Sequence, residues 1–210
     1  ALFVGTRDAG ADNALVALKP GDGAEIGRFD NTPAVNGSIG VISGAATVDY
    51  ARKRVYFASD TGGSANTLWC LEIDDVVANP VFKQLLWARP LGRITSSPVI
   101  RGDRVYVAND VGTLYSVHET GAAGLDRTLA IEAGGVKGFV FPDRSSQDLY
   151  FSTSGQVRVD TDGPVVIGPK CSYGGGGLAP SPVLYVAALG RVYFGGNDGK
   201  LYELVEERSP

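Results

Sequence analysis

The amino-acid sequence predicts an all-β fold built from repeated, four-stranded antiparallel sheets, and three observations support this prediction. First, a pattern of one aliphatic, one aromatic, one β-branched or aromatic and one small residue begins at residues 2, 55, 105, 149 and 192. Second, another segment rich in β-branched and aromatic residues follows most copies after a short turn. Third, no segment shows the apolar period of an amphipathic helix. Copies that recur every 43 to 53 residues indicate a repeat architecture.

Each repeat contains a β-hairpin, formed by the four-residue pattern and the segment after it. Between the two strands stand residue types that accept the positive φ angles of hairpin turns, as in Asp110-Val111-Gly112 and Asn197-Asp198-Gly199. Because the fourth residue of the pattern is always small, we expect it to lie where neighbouring sheets crowd together. The second strands read ALVAL at 14–18, TLWCL at 67–71, TLYSV at 113–117 and KLYEL at 200–204, with a degenerate fourth copy, GQVRV, at 155–159.

Two further strands flank the hairpin. The segment before it reads SPVI at 97–100 and SPVL at 181–184, and more loosely ATV at 46–48. Proline is tolerated at the first residue of a strand, where no ladder hydrogen bond is lost, so these segments begin strands. The segment after the hairpin is clearest as KQLLW at 83–87 and weaker as EIGRF at 25–29.

Four antiparallel strands in each repeat predict a β-propeller of about five blades. One blade cannot bury both of its faces alone, so the repeats stack face to face around an axis. The approximate units of this single domain are residues 1–32, 33–90, 91–135, 136–170 and 171–210. The structural repeat positions are the small residues Gly5, Ala58, Ala108, Ser152 and Gly195, the strand aromatics Tyr106, Tyr115, Tyr193 and Tyr202, and Trp87.

The repeat register predicts incomplete blades at both ends. The first residues match a second strand, and the last residues follow a third strand. We therefore expect the first blade to lack its first strand and the last blade to lack its fourth. The chain is then part of a larger propeller, which we favour, or a compact ring with irregular closure.

The third repeat is similar to the repeat of a known family. Trp87, the segment SSPVIRGDRVYV at 96–107 and the segment GTLY at 112–115 resemble the PQQ-like (pyrroloquinoline quinone) β-propeller repeat, written SPVV-DG-VYVGS-DG-LYALDA-TG--W. The resemblance is strong in the third and fifth repeats and weak in the fourth. The tryptophan that docks one blade onto the next occurs in this register only as Trp87, and Phe29 substitutes for it in the first repeat. Trp69 aligns with hairpin aromatics and is expected in the core.

The resemblance raises the hypothesis of a quinoprotein dehydrogenase that binds PQQ and Ca²⁺ on the propeller axis. Catalytic members of the family form longer, eight-bladed rings and stack the quinone on a disulfide of adjacent cysteines. Here Cys70 and Cys171 are far apart in the sequence, and Asp60, Asp110 and Asp198 occupy equivalent turns of separate repeats. Calcium requires six to eight converging oxygen ligands. We therefore expect a protein that is not an enzyme and has no cofactor, with PQQ and Ca²⁺ as the alternative.

Other candidate sites are sparse. His118 is the only histidine, which excludes a histidine-based metal cluster, and we interpret it as an exposed residue at a strand end. The glycine run at 174–177 lacks the Gly-Lys-Ser/Thr ending of a phosphate loop and is interpreted as a connection between blades. A disulfide between Cys70 and Cys171 is a further hypothesis, which requires their Cα atoms to lie within about 7 Å.

Composition limits the partners of this chain. The formal charge of −4 and the pI near 5.0 do not provide the basic face that nucleic-acid binding requires. The longest apolar run, residues 183–189, is far shorter than the roughly 20 residues of a membrane helix, so we expect no membrane insertion. No signal peptide is visible, and the first residues, ALFVG, with no Met in the sequence, suggest a processed protein or a piece of a longer one.

These observations favour a non-enzymatic scaffold or binding module for protein partners. The resemblance implies an extracytoplasmic location, periplasmic, secreted or cell-surface in bacteria, where similar propellers serve outer-membrane assembly factors and surface complexes. We expect contacts through the longer connections at residues 31–43, 74–83 and 172–179. Two alternatives remain: a ligand or Ca²⁺ sensor or quinoprotein fragment binding at the axis, and a purely structural part of a longer chain.

Overall fold

The computed structural model describes residues 1–8, 13–31, 37–60, 65–74, 81–164, 167–174 and 180–205. These residues form five antiparallel sheets in which each strand pairs with the next along the chain. The β-propeller architecture predicted from the repeats is confirmed. In the described residues the sheets hold these strands: blade 1, β1 Leu2–Gly5, β2 Leu15–Leu18 and β3 Glu25–Phe29; blade 2, β4 Thr47–Asp49, β5 Arg54–Ala58, β6 Leu68–Ile73 and β7 Phe82–Arg89; blade 3, β8 Val99–Arg101, β9 Arg104–Ala108, β10 Thr113–His118 and β11 Arg127–Ala130; blade 4, β12 Phe141–Pro142, β13 Asp148–Ser152, β14 Gln156–Asp162 and β15 Ile167–Gly174; blade 5, β16 Leu184–Val186, β17 Arg191–Gly195 and β18 Leu201–Val205.

The terminal blades are incomplete in the described part of the chain, as the register predicts. Blades 2, 3 and 4 have four strands each, whereas blades 1 and 5 have three. Among the described residues, blade 1 has no strand in the position that β4 occupies beside β5, and blade 5 has none in the position that β11 occupies beside β10. A single short 3-10 helix, Ala123–Leu125, is described besides the strands.

Strand alternation assigns the repeated pattern to two different interfaces. In β5, Val55 and Phe57 pack into a cluster shared with blade 1, while Tyr56 and Ala58 pack into a cluster shared with blade 3. Successive side chains of a strand point to opposite faces of the sheet, so the same assignment repeats in each blade. The first and third residues of the pattern therefore face the preceding blade, and the second and fourth face the next.

The hydrophobic core is divided into four clusters in the described residues, and each lies between consecutive blades. They join blades 1 and 2, 2 and 3, 3 and 4, and 4 and 5. No cluster of the described residues joins blade 5 to blade 1. As far as the described residues go, the five blades therefore form an open arc, whose two end faces belong to the terminal blades.

Trp87 lies at the joint between blades 2 and 3. Its indole Nε1 donates a hydrogen bond to the carbonyl of Glu119, 2.9 Å away, in the turn after β10. Gly121 in this turn has a φ of +75°, and a Cβ there would lie 2.5 Å from the Trp87 ring. The turn therefore requires glycine both for its backbone conformation and for contact with the indole. Trp69, in contrast, is completely buried and stacks on Phe57 with ring centroids 5.9 Å apart.

The boundary predicted between the fourth and fifth repeats differs from the structure. The degenerate copy at 155–159 forms β14, and this strand pairs with β15 as far as Gly174, beyond the predicted boundary at residue 170. Cys171 thus belongs to the outer strand of blade 4 and not to a connection entering blade 5. The ladder shifts register between Val159 and Asp160, so β15 has no regular alternation from which a strand could be predicted.

Candidate interaction site

The three aspartates that occupy equivalent turns of the repeats, Asp60, Asp110 and Asp198, do not share one partner in the structure. Asp60 and Asp110 lie near each other because both contact Arg93, whose Nε is 2.5 Å from Asp60 Oδ1 and 3.7 Å from Asp110 Oδ2. Hydrogen bonding from Arg93 holds the pKa of Asp60 below its usual value. Asp198 instead accepts a hydrogen bond from the Tyr202 hydroxyl within blade 5, at 2.8 Å. The described residues contain no group of three or more His, Cys, Asp and Glu side chains arranged to hold a metal ion.

The two cysteines, both within the described ranges, do not form a disulfide. Cys70 is buried in β6 between blades 2 and 3, and burial raises the pKa of its thiol to about 12. Cys171 is exposed on β15. The two side chains therefore differ sharply in their expected reactivity.

His118 ends β10, as the sequence predicts, but its side chain is largely covered. Its Nδ1 lies 2.8 Å from the Thr120 hydroxyl, and its Nε2 lies 3.5 Å from Asp103. The imidazole therefore belongs to the turn at the end of the strand. The half-buried imidazole also contacts the β8–β9 turn through Asp103.

Most of the structural repeat positions lie at the interfaces between blades. Ala58 and Ala108 are buried, and the Ser152 hydroxyl donates to the carbonyl of Ser181 at 2.6 Å. Tyr115 packs on the cluster between blades 2 and 3, and Tyr202 on the cluster between blades 4 and 5. Gly5, Tyr106 and Trp87 also contact a neighbouring blade. Tyr193 and Gly195 lie on the outward face of blade 5, which meets no other blade in the described residues.

The connections predicted as contact loops lie only partly within the described residues. Residues 32–36, 75–80 and 175–179 lie outside them, together with most of the glycine run. In the described part of the first connection, Ile39 and Ile42 are buried in the cluster between blades 1 and 2. Because these side chains pack in the core, this part of the connection has less exposed surface for a partner.

A cavity of about 940 Å³ lies between blades 4 and 5. Tyr150, Val157 and Val159 form its blade-4 floor, and Leu204 of β18 stands on the opposite side. Most of the surface is apolar, with polar side chains near the β12–β13 turn. The complete lining is Ser145, Ser146, Asp148, Tyr150, Val157, Val159, Lys170, Cys171, Ser172, Tyr173, Val192, Leu204 and Val205.

The rim of the cavity carries a paired carboxylate. Lys170 Nζ lies 2.8 Å from Asp148 Oδ2, and the Thr161 hydroxyl donates to Asp148 Oδ1 at 2.9 Å. Burial opposes ionisation of Asp148, but these hydrogen bonds outweigh it and hold its pKa below the usual value. The charges of Asp148 and Lys170 on the rim therefore neutralise each other. The apolar walls remain as the main surface for contact.

The cavity lies where blade 5 would need a fourth strand. Outer strands of neighbouring blades contact each other elsewhere in the arc, β3 with β7 and β11 with β15. In the described residues no strand of blade 5 stands outside β18 to contact β15 in the same way. The cavity is the space that such a strand would fill.

In the described residues, the face of blade 5 that would meet a sixth blade is also open, and it carries exposed apolar side chains beside the ion pair of Glu203 and Arg191. Leu201 is 77% exposed and Val205 62% exposed on β18, and Leu184 projects from β16 on the same face. Single exposed apolar residues are ordinary, whereas several on one face of a sheet are typical of an interaction surface. We call these three residues with Tyr193 the open face of blade 5.

Sequence reasoning missed a buried ionic cluster between blades 3 and 4. Asp162, 2% exposed, accepts hydrogen bonds from the Tyr106 hydroxyl at 2.6 Å and from Arg127 Nη1 at 2.7 Å. Arg101 Nη2 donates to the Tyr106 hydroxyl at 2.8 Å. Burial, followed by the hydrogen bond to Asp162, raises the pKa of Tyr106 well above its usual value. These residues come from four strands, so no local sequence pattern connects them.

None of the helical residues that the structure describes forms an apolar segment of membrane-spanning length. No family model matches the sequence, and the curated proteins contain no match to it. The resemblance to PQQ-like repeats therefore stays a prediction.

Three solved structures are similar to this chain in fold. The computationally designed Ika4 protein shares 12% sequence identity over 87% of this chain and 98% of its own, with a TM-score of 0.62. BamB from Moraxella catarrhalis shares 15% identity over 99% of this chain and 55% of its own, with a TM-score of 0.66. The WD40 β-propeller domain of Doa1 shares 11% identity over 97% of this chain and 62% of its own, with a TM-score of 0.61. The chain thus spans little more than half of two of these structures, and at such identities the similarity shows that it has the β-propeller fold.

Proposed function

We propose that this chain is a non-enzymatic β-propeller scaffold that binds protein partners in an extracytoplasmic complex. The observation that carries the proposal is that β18 borders both the cavity between blades 4 and 5 and, on its other side, the open face of blade 5. Exposed apolar side chains on both sides of one sheet edge are suited to a macromolecular partner.

The cellular location and the PQQ-like classification rest on the sequence resemblance. The strongest repeats, the third and fifth, correspond to blades 3 and 5, and the Trp87 joint has the contact with a following turn that the repeat pattern implies. The alternative proposals are a ligand or Ca²⁺ sensor or quinoprotein fragment that binds PQQ at the axis, and a set of blades completed by the remainder of a longer chain.

Photo-crosslinking tests the partner proposal. A benzophenone amino acid replaces Leu201 in the open face, and a matched control places it at Val111, which is equally exposed but lies in the β9–β10 turn. In cells that produce the protein, we expect a discrete protein adduct from position 201 that unlabelled chain competes away, and none from position 111. Absence of the adduct at position 201 contradicts the proposal.

A thermal melt separates the scaffold from the quinoprotein alternative. PQQ with Ca²⁺ at about a hundred times a dissociation constant would add about 2.7 kcal/mol to the unfolding free energy of a binding protein. For a chain of this size that corresponds to a rise in Tm of roughly 5 to 10 °C. We expect no rise. A rise of this size would favour the quinoprotein fragment.

A further inference from the structure

We infer that blade 5 binds an extended segment of its protein partner as a fourth β-strand, antiparallel to β18, with alternate apolar side chains seated in the cavity between blades 4 and 5. This inference rests on the proposed scaffold function and specifies the partner's conformation and chemistry. Strand addition to a sheet edge combines backbone hydrogen bonds with side-chain pockets at alternate positions.

The first support comes from the backbone of β18. The amide of Gly196 donates to the carbonyl of Lys200 at 2.9 Å. This bond shows which residues of β18 form their backbone hydrogen bonds with β17. In an antiparallel pair the residues alternate between bonding to the neighbour and pointing away from it. Leu201, Glu203 and Val205 therefore direct their N–H and C=O groups away from β17, toward the outer edge of the sheet.

The equivalent edge in blade 3 is occupied. Leu114 and Ser116 of β10 correspond to Leu201 and Glu203 in the repeat, and they pair with Leu129 and Arg127 of β11. Blade 4 has the same arrangement, with β15 paired along β14. In blade 5 the corresponding strand is β18. Among the described residues, its outer edge has no strand beside it. The occupant of this position is therefore an extended strand.

The cavity specifies the side chains of that strand. Tyr202 and Leu204 face blade 4, so alternate residues of a strand added beside β18 would also face blade 4. There they would meet Val159 and Tyr173, which line the cavity. Because the rim carboxylate of Asp148 is already paired with Lys170, apolar side chains fit this space better than charged ones.

A peptide with the sequence of β7, Phe82–Arg89, is a suitable probe because this segment serves as a fourth strand within the same fold. Binding of the fluorescein-labelled peptide to the whole chain is measured by fluorescence anisotropy. Two N-methylated versions provide matched controls, each blocking the amides along one edge of the peptide. We expect one version to bind at least tenfold more weakly and the other to bind like the parent, because a strand added to a sheet uses one edge. Equal binding of all three peptides would overturn the inference.

A matched pair of substitutions tests the protein side. Glu203→Pro removes an outward N–H and suits an edge position, whereas Glu203→Ala keeps that N–H and equally removes the ion pair with Arg191. We expect peptide affinity to fall at least tenfold in E203P and to change less than threefold in E203A. Melting curves show whether E203P folds. If it does not fold, the N-methylated peptides still test whether the peptide binds as an added strand.

The cysteines report where the probe binds. Alkylation of exposed Cys171 in the cavity should slow at least fivefold when the peptide is bound, while buried Cys70 stays unreactive. Peptide binding without protection of Cys171 would place the peptide elsewhere and overturn the inference.

Sedimentation of the chain alone shows whether it forms a dimer, in which a second copy could occupy the outer edge of β18. A dimer that E203P abolishes would mean that a second copy, not a partner, occupies the edge. A partner that crosslinks at position 201 but binds E203P as tightly as the native chain would overturn strand addition while leaving the scaffold function intact.

Discussion

Gly5 and Gly195 hold the same position in the first and fifth repeats but have different surroundings. A Cβ built on Gly5 would lie 2.2 Å from Cγ2 of Ile42, a buried residue of the core between blades 1 and 2. A Cβ on Gly195 would have no neighbour closer than 3.6 Å, the Ser181 hydroxyl. The crowding expected at this position therefore depends on a following blade, which blade 5 does not contact in the described residues.

This difference predicts opposite responses to the same substitution. Gly5→Ala forces Ile42 out of its place in a packed interior, and we expect a loss of roughly 1 to 3 kcal/mol in the free energy of unfolding. Gly195→Ala is expected to change it by no more than about 0.5 kcal/mol. Urea denaturation followed by Trp fluorescence measures both. A Gly195→Ala loss as large as that of Gly5→Ala would mean that another surface covers blade 5 in solution.

At the scale of the elements, each joint between blades combines an apolar cluster with a particular polar contact. Trp87 and Arg89 on β7 both reach the turn after β10, where Arg89 Nη1 donates to the carbonyl of Gly121 at 3.0 Å. Between blades 3 and 4 the corresponding contact is the buried group around Asp162. Burial of an ionic group is costly unless every charge is paired, so these contacts fix the alignment of neighbouring sheets.

Replacing Asp162 tests this joint. Asp162→Asn leaves the guanidinium groups of Arg127 and Arg101 without their carboxylate in a buried site, so we expect a loss of about 3 kcal/mol in the free energy of unfolding. The matched control is Asp103→Asn, which removes an exposed carboxylate from Arg104 and should cost less than about 1 kcal/mol. Both are measured by urea denaturation. Equal losses for the two substitutions would contradict a special role for the buried group.

The sequence predicts the elements better than the joints, for a physical reason. The hairpins and the strand starts at 97–100 and 181–184 follow from local alternation and turn chemistry, which a single segment contains. The outer strand β15 has a shifted register and a proline, so its pattern is lost. Asp162 looks like any strand-end aspartate until Arg101 and Arg127 are brought to it from another blade. The missing fourth strand of blade 5 follows from the repeat register, but the residues that line the cavity come from several strands of two blades, so no local pattern predicts the cavity itself.

At the scale of the whole molecule, the open arc predicts unequal stability among the blades. Blades 2 and 3 pack on both faces, and β5, β6 and β9 are almost completely buried. In the part of the chain that the structure describes, blade 5 packs on one face, and Leu201 and Val205 on its outer strand are exposed. Regions with fewer buried contacts open at lower free energy than the global unfolding transition. The arc should therefore lose blade 5 before it unfolds as a whole.

Native-state hydrogen exchange measures this gradient directly. Amides of β17 and β18 are expected to exchange at least about tenfold faster than those of β5 and β6, equivalent to about 1.4 kcal/mol in opening free energy. Within β18, the outward amides of Leu201, Glu203 and Val205 should exchange fastest, because their hydrogen bonds are made to water. Addition of the β7 peptide should slow these three first, since strand addition covers that edge before any other surface. Uniform protection of blades 2 and 5 in the isolated chain would mean that the edge is already covered, and sedimentation would then show whether a second copy covers it.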